Sequence, residues 1–187
     1  FPVLSKEIAA KIELLQNPSE ANATVRHAII TGETGEYNGQ HGGSAAAMKV
    51  AEDGQLSLIN IVGTQGQHPC YVTTSPDGKF VYVANYSEGT ATVFATKDGA
   101  LCEDPMIVAH QGKGANPQRQ EKPHVHITRL TPDGKYLAVC DLGIDAVVLY
   151  PLCGCCGLNK NAGSFVRTAP GQGPRHIEFS KDGKFAY

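Results

Sequence analysis

Between Ala109 and Leu130 the chain reads AHQGKGANPQRQEKPHVHITRL, the densest gathering of acid, base and anion-binding side chains in the sequence. His124 and His126 stand two residues apart after Pro123, behind Asn116, Arg119, Gln120 and Glu121. Imidazole titrates near neutral pH, so one histidine could serve as general base with the other as its partner. In a strand, period-two alternation would aim both rings to one face. The same pattern also fits two buried histidines bonding loop backbone, and on pattern alone the two readings are equal. Arg119 and Gln120 tilt the balance toward function. They could hold an anion or substrate hydroxyls, or they could pin a long loop to its rim. Asn116-Pro117 is a turn former first and a ligand contact second. Gly112 and Gly114 resemble an anion-binding loop, but no strand–loop–helix context follows, so a nucleotide fingerprint is not supported.

Arg175, in Gly173-Pro174-Arg175-His176, could hold a carboxylate, a phosphate or a developing oxyanion, or make an ion pair between structural units. His176 beside it is a substrate-binding candidate. So is His68, which opens its own segment before Pro69 much as His124 opens one after Pro123. His41 sits in a Gly-rich stretch and reads as a solvated loop residue. Cys153-Gly154-Cys155-Cys156 lacks a paired CxxC and further ligands at suitable spacing, so it reads as an irregular loop with reactive thiols. Neither a metal nor a cofactor is expected.

Short strands must position these side chains. HPCYVTTSPDGKFVYVANY (68–86), PHVHITRLTPDGKYLAVCDLG (123–143) and GPRHIEFSKDGKFAY (173–187) align as repeats, each with a polar entry, a strand, an Asp-Gly-Lys turn and a second strand. Asp77, Asp133 and Asp182 mark the turns, 56 and 49 residues apart (77 to 133, 133 to 182). Asp-Gly favours hairpins because Gly takes positive φ and Asp bonds local backbone. Third strands are expected at Ala91–Thr96 and Ala146–Leu152, and fourth strands near Met106–Ala109 and Ser164–Ala169. Four antiparallel strands recurring at about 50 residues are the signature of a β-propeller blade. The fold class is therefore all-β, a propeller of which this chain covers roughly the first three blades, the last truncated.

Upstream, His27–Thr31 predicts a strand, GETGEYNGQHGGS a loose loop, and Ala45–Val50 and Leu56–Val62 two more strands around Glu52-Asp53-Gly54. Residues 5–16 carry Ile8, Ile12 and Leu15 at helical spacing with Ser5 as N-cap. The domain reading is a 1–24 extension with a short amphipathic helix, followed by a partial propeller over 25–187. Blade connectivity puts His68, residues 109–126, residues 172–176, Asn85 and Asp141 on one face. The Asp-Gly turns and the cysteine loop fall on the other. Asn85 and Asp141 read as turn caps.

The 187 residues carry a formal net charge of −2, with 41% hydrophobic and 18% charged residues. These are globular values, with no electrostatic case for a nucleic-acid partner. No apolar run approaches a membrane span, so no membrane partner is expected. Cys70, Cys102 and Cys140 lie in or beside expected strands as ordinary thiols, and the compartment is read as cytoplasmic. Propellers need at least about four blades to close. The remainder of the propeller or a completing chain is therefore an expected partner.

Together, HPCYVTTSPDGKFVYVANY, GKGANPQRQEKPHVH, TPDGKYLAVCDLG and GPRHIEFSKDGKFAY resemble the lactonase family of seven-bladed β-propellers, over about residues 27–187. That family includes propeller-type 6-phosphogluconolactonases and the fungal carboxymuconate-lactonizing enzymes. The resemblance implies a lactone-handling site on the central channel using His126, with His124 beside it, and Arg175. It also implies a Glu after the strand that begins Gly-Lys-Phe-Ala-Tyr, and a further Arg from later blades, both beyond Tyr187. The leading expectation is a lactone hydrolase, most nearly a 6-phosphogluconolactonase. In it His126 activates water, Arg175 stabilises the oxyanion or binds substrate, and Arg119, Gln120 and Asn116 help bind phosphate and hydroxyls. The alternatives are a carboxymuconate cycloisomerase, with a muconate as its small-molecule substrate, and a non-enzymatic propeller acting as a binding platform.

Overall fold

The computed structural model describes residues 12–14, 27–37 and 40–187, which form antiparallel sheets stacked side by side. The first sheet runs β1 (Ile12–Leu14), β2 (His27–Tyr37), β3 (Gln40–Val50) and β4 (Leu56–Gly63) in chain order. The second begins with β5 (Pro69–Thr74), β6 (Phe80–Asn85) and β7 (Thr90–Lys97). A two-residue β8 (Ala100–Leu101) curls onto the end of β7, and β9 (Met106–Ala109) pairs along the rest of it. The third sheet repeats this plan with β10 (Val125–Leu130), β11 (Tyr136–Asp141) and β12 (Ala146–Cys153). There a short β13 (Gly157–Leu158) curls onto the end of β12, and β14 (Ser164–Arg167) completes the sheet. A bridge between Phe179 and Ala186 opens a fourth unit. The described residues thus form one four-stranded and two five-stranded blades and the first hairpin of another.

Two expectations change. The three described residues of the expected helix, Ile12–Leu14, pair with β2 as the first blade's opening strand; the rest of 5–16 lies outside the described residues. An unpaired edge on β2 offers backbone groups that a strand satisfies and a helix cannot. The expected Gly-rich loop is instead a long hairpin, with Gly35↔Gly42, Glu36↔His41 and Tyr37↔Gln40 in register, so His41 belongs to β3. Its Asn38-Gly39 dipeptide is a strong hairpin signal in sequence terms, though those two residues lie outside the described set.

Burial explains why β6, FVYVAN, is nearly continuous in apolar residues: every one of its positions is buried, because blades pack on both its faces. Val72, Val81, Val83 and Phe94 meet Ile29, Ala45, Ala47 and Val62 on one side. On the other, Tyr71, Tyr82 and Val93 meet Ile127, Leu137, Val139 and Val148. Between the blades, the Tyr82 hydroxyl donates to the Gly157 carbonyl at 3.2 Å, and the Thr128 hydroxyl to the Tyr82 carbonyl at 3.2 Å.

The three Asp-Gly turns share one geometry. Asp77 Oδ1 accepts the Ser75 hydroxyl at 2.7 Å and the Lys79 amide at 3.2 Å, while Ser75 Oγ accepts the Phe80 amide at 2.9 Å. Thr131, Asp133 and Tyr136 repeat it, as do Ser180, Asp182 and Phe185. In each, the neighbouring hydroxyl is the main reason the carboxyl is held below its ordinary range. Among the described residues no helix is long and apolar enough to cross a membrane.

Candidate active site

The face opposite those turns holds an open cleft of about 590 Å³, lined by Thr31, His68, Pro69, Cys70, Tyr86, Ser87, Arg119, His126 and Arg175. Its floor has a single backbone cause. β5 pairs with β6 in register except at Cys70, where Pro69↔Asn85 gives way to Tyr71↔Ala84. β10 does the same at His126, between Val125↔Asp141 and Ile127↔Cys140. Each is a bulge, which inserts an unpaired residue and re-aims its side chain. Cys70, His126 and Arg175 all precede their turn aspartates, Asp77, Asp133 and Asp182, by the same seven residues. One repeat position therefore delivers a thiol, an imidazole and a guanidinium to the same cleft.

At its centre an Arg175 Nη atom lies 2.9 Å from His126 Nε2. Guanidinium can only donate, so Nε2 accepts and the imidazole proton sits on Nδ1. His176 lies against the other side of this ring with centroids 5.0 Å apart, and the Tyr86 ring meets it edge-on at 6.0 Å. The Cys70 thiol reaches the His126 carbonyl at 3.3 Å, tying the two bulges together. On the rim, His68 Nδ1 and the Ser87 hydroxyl are 2.7 Å apart, with His68 at a positive φ of 53°.

His124 does not join His126 as a reactive pair. It precedes the bulge and is buried, its ring stacked on Tyr86 with centroids 4.6 Å apart. Nδ1 faces the Tyr86 carbonyl at 3.2 Å, and Nε2 faces Glu121 Oε1 at 3.1 Å. Both ring nitrogens thus face acceptors of the protein itself, and the ring lies outside the cleft lining. Glu121's own amide, followed by the His124 ring, holds that carboxyl below its ordinary range. His124 instead fixes Tyr86, which supports His126.

Gln120 is likewise spent on architecture. Its amide nitrogen donates to the Leu142 carbonyl at 2.7 Å and Asp145 Oδ1 at 2.6 Å, and its oxygen accepts the Asn116 amide at 2.8 Å. Gly114 passes so close that a Cβ there would stand 2.5 Å from the Gln120 side chain. Asn116 makes a turn, its Oδ1 accepting the Gln118 amide at 3.0 Å. Of the loop candidates, Arg119 alone reaches the cleft.

Two buried aspartates hold this face. Asp141 caps the 3-10 turn Leu142–Ile144: Oδ1 accepts the His124 and Gly143 amides at 2.7 and 2.9 Å, and Oδ2 lies 2.7 Å from His110 Nδ1. Asn85, its counterpart in the preceding blade, is fully buried and donates to Thr90 and Thr92. Asp145 ties the Arg175 loop to its blade by accepting the Gly171 and Gly173 amides, each at 2.8 Å. Burial works against its charge, but those amides and Gln120 outweigh it and hold the carboxyl below its usual range. Asp145 was not legible as a site residue because its role depends on a loop 26 residues later (145 to 171). Cys70 was legible, by counting back from each turn aspartate.

The cleft lining contains two guanidiniums and no carboxylate among the described residues. Its chemistry is that of an anion receptor with a neutral imidazole at the centre. Among the described residues, the side-chain group able to hold a metal ion is Cys153, Cys155 and Cys156, on the far face.

A family model described as lactonase, 7-bladed beta-propeller, matches residues 22–187. The 6-phosphogluconolactonase of Bacillus subtilis (strain 168) is 38% identical over 182 residues, covering 97% of this chain and 50% of the relative. Among solved structures, a Bacteroides fragilis protein described as a candidate 6-phosphogluconolactonase superposes with a TM-score of 0.77 at 35% identity, covering 88% of this chain and 47% of that one. The periplasmic gluconolactonase of Pseudomonas aeruginosa gives a TM-score of 0.74 at 34% identity, covering 87% and 47%. The chain spans about half the length of the relatives it matches.

Proposed function

The chain belongs to the seven-bladed β-propeller lactonase family, and on that premise we propose that the whole protein hydrolyses an anionic sugar lactone, 6-phosphogluconolactone first, to the open acid. The observation that carries this reading is the His126–Arg175 contact of 2.9 Å at the centre of a cleft with a second guanidinium, Arg119, and no described carboxylate. Two guanidiniums on the described part of the cleft favour a phosphorylated substrate.

In this mechanism the lactone carbonyl displaces the Arg175 guanidinium from His126 Nε2. Arg175 then binds the carbonyl oxygen and stabilises its developing negative charge. The freed Nε2 takes a proton from water as that water attacks the carbonyl carbon. The tetrahedral intermediate collapses, the ring C–O bond breaks, and the imidazolium returns its proton to the leaving alkoxide. Arg119 holds the phosphate, and Tyr86, backed by His124, keeps the imidazole plane aligned.

The test is hydrolysis above the spontaneous rate in the full-length protein. His126→Ala is expected to lower kcat by about 10²–10⁴-fold, the range for loss of a general base. An unchanged rate would reject the role. A conjugated muconate given to the same protein is expected to keep its ultraviolet absorbance; its loss would assign a cycloisomerase instead.

A further inference from the structure

The β12–β13 hairpin repeats a feature of the preceding blade, with one more residue and with cysteines at its turn. Between β7 and β8 the chain turns on Asp98-Gly99, both at positive φ (52° and 82°), and Leu101 anchors the return. Between β12 and β13 the corresponding turn is Gly154-Cys155-Cys156, entered from Cys153 at the end of β12, and Leu158, 1% exposed, anchors the return. The fold makes this turn without cysteine one blade earlier, so three thiols here are not a requirement of the hairpin.

The base of the turn is rigid. Cys153 pairs with Gly157 in the ladder, and Gly157 has φ of 84°. A Cβ at Gly157 would stand 2.7 Å from Val93 and 3.0 Å from Phe80, and its carbonyl accepts the Tyr82 hydroxyl. The tip is open to solvent. There the three sulfurs lie within 4.8 Å of one another, with Cys153 and Cys155 Sγ 2.9 Å apart and Cys155 and Cys156 Sγ 3.7 Å apart. Thiolates bound to one ion at about 2.3 Å stand roughly 4 Å apart in a trigonal set.

We infer that Cys153, Cys155 and Cys156 form a surface site for one soft, thiophilic monovalent cation, Cu(I) in class, held trigonally by three sulfurs. Zinc prefers four ligands, and no fourth His, Cys, Asp or Glu joins this group among the described residues. Soft thiolates with low coordination number select Cu(I). Each ligating thiol gives its proton to water as its S–metal bond forms, without change in oxidation state.

The experiment titrates the reduced full-length protein with Cu(I) without oxygen, against a chromophoric Cu(I) chelator, and separately with Zn²⁺ against a zinc indicator. The expected result is one Cu(I) per chain with a thiolate-to-metal absorption band. Both are lost in C153S/C155S/C156S and kept in C102S, with circular dichroism unchanged in each. Binding that survives the triple variant would overturn the site. Preference for Zn²⁺ over Cu(I) would overturn the ion class. A two-hydrogen mass loss that maps a disulfide to this turn in freshly reduced, metal-treated protein would show oxidation in place of coordination, and would overturn the proposal.

Discussion

His126 and His124 show how two identical side chains, two positions apart, acquire different tasks from their contacts. One stands on a bulge beside a guanidinium, while the other is buried between an aromatic ring and two acceptors. Period-two alternation could not separate them, because the bulge that breaks it is a property of strand pairing and not of local sequence. The Arg175 fork invites a sharp test. Arg175→Lys keeps the charge but loses the planar pair of donors. It is expected to lower kcat/KM for the phosphorylated lactone at least about tenfold, a loss of about 1.4 kcal/mol of transition-state stabilisation. Arg119→Ala is expected to raise KM for the phosphorylated substrate while leaving the unphosphorylated lactone unaffected. Equal effects on both lactones would remove the phosphate-binding role.

At the scale of the element, the turns and the Arg175 loop depend on carboxylates. Asp77, Asp133, Asp145 and Asp182 are all held below the ordinary range when folded. A depressed folded-state value contributes stability above the unfolded value, near 4, and loses it as pH falls through the folded value. The urea midpoint is therefore expected to stay level from neutral pH to about 5 and to fall below about 4. Asp145→Asn is expected to be less stable at neutral pH and to show a shallower acid decline; a wild-type midpoint level down to pH 3 would contradict this. The hairpins and third strands were readable because Asp-Gly turns and alternating apolar runs are local signals. Residues 12–14 and the β2–β3 hairpin were not. The spacing of Ile12 and Leu15 suits a helix until a waiting strand edge decides otherwise, and glycine leaves long strands looking like loops.

At the scale of the molecule, the blades are joined by apolar faces and a few polar ties, among them the Tyr82 hydroxyl on the Gly157 carbonyl. Burial pushes the Tyr82 phenol well above its ordinary value, so it stays a donor at any working pH. Tyr82→Phe is expected to cost about 1 kcal/mol in urea unfolding with the slope unchanged. No change would mean that apolar packing alone sets the blade spacing. The bulge seven residues ahead of the Asp77 and Asp133 turns has a wider consequence. Because the kink belongs to the repeat, any blade copied from another arrives with one side chain already aimed at the cleft. The cleft can then be respelled one letter per blade, as cysteine, histidine and arginine are here. Each substitution leaves the ladder beneath it untouched, so a new substrate can be tried without building a new fold.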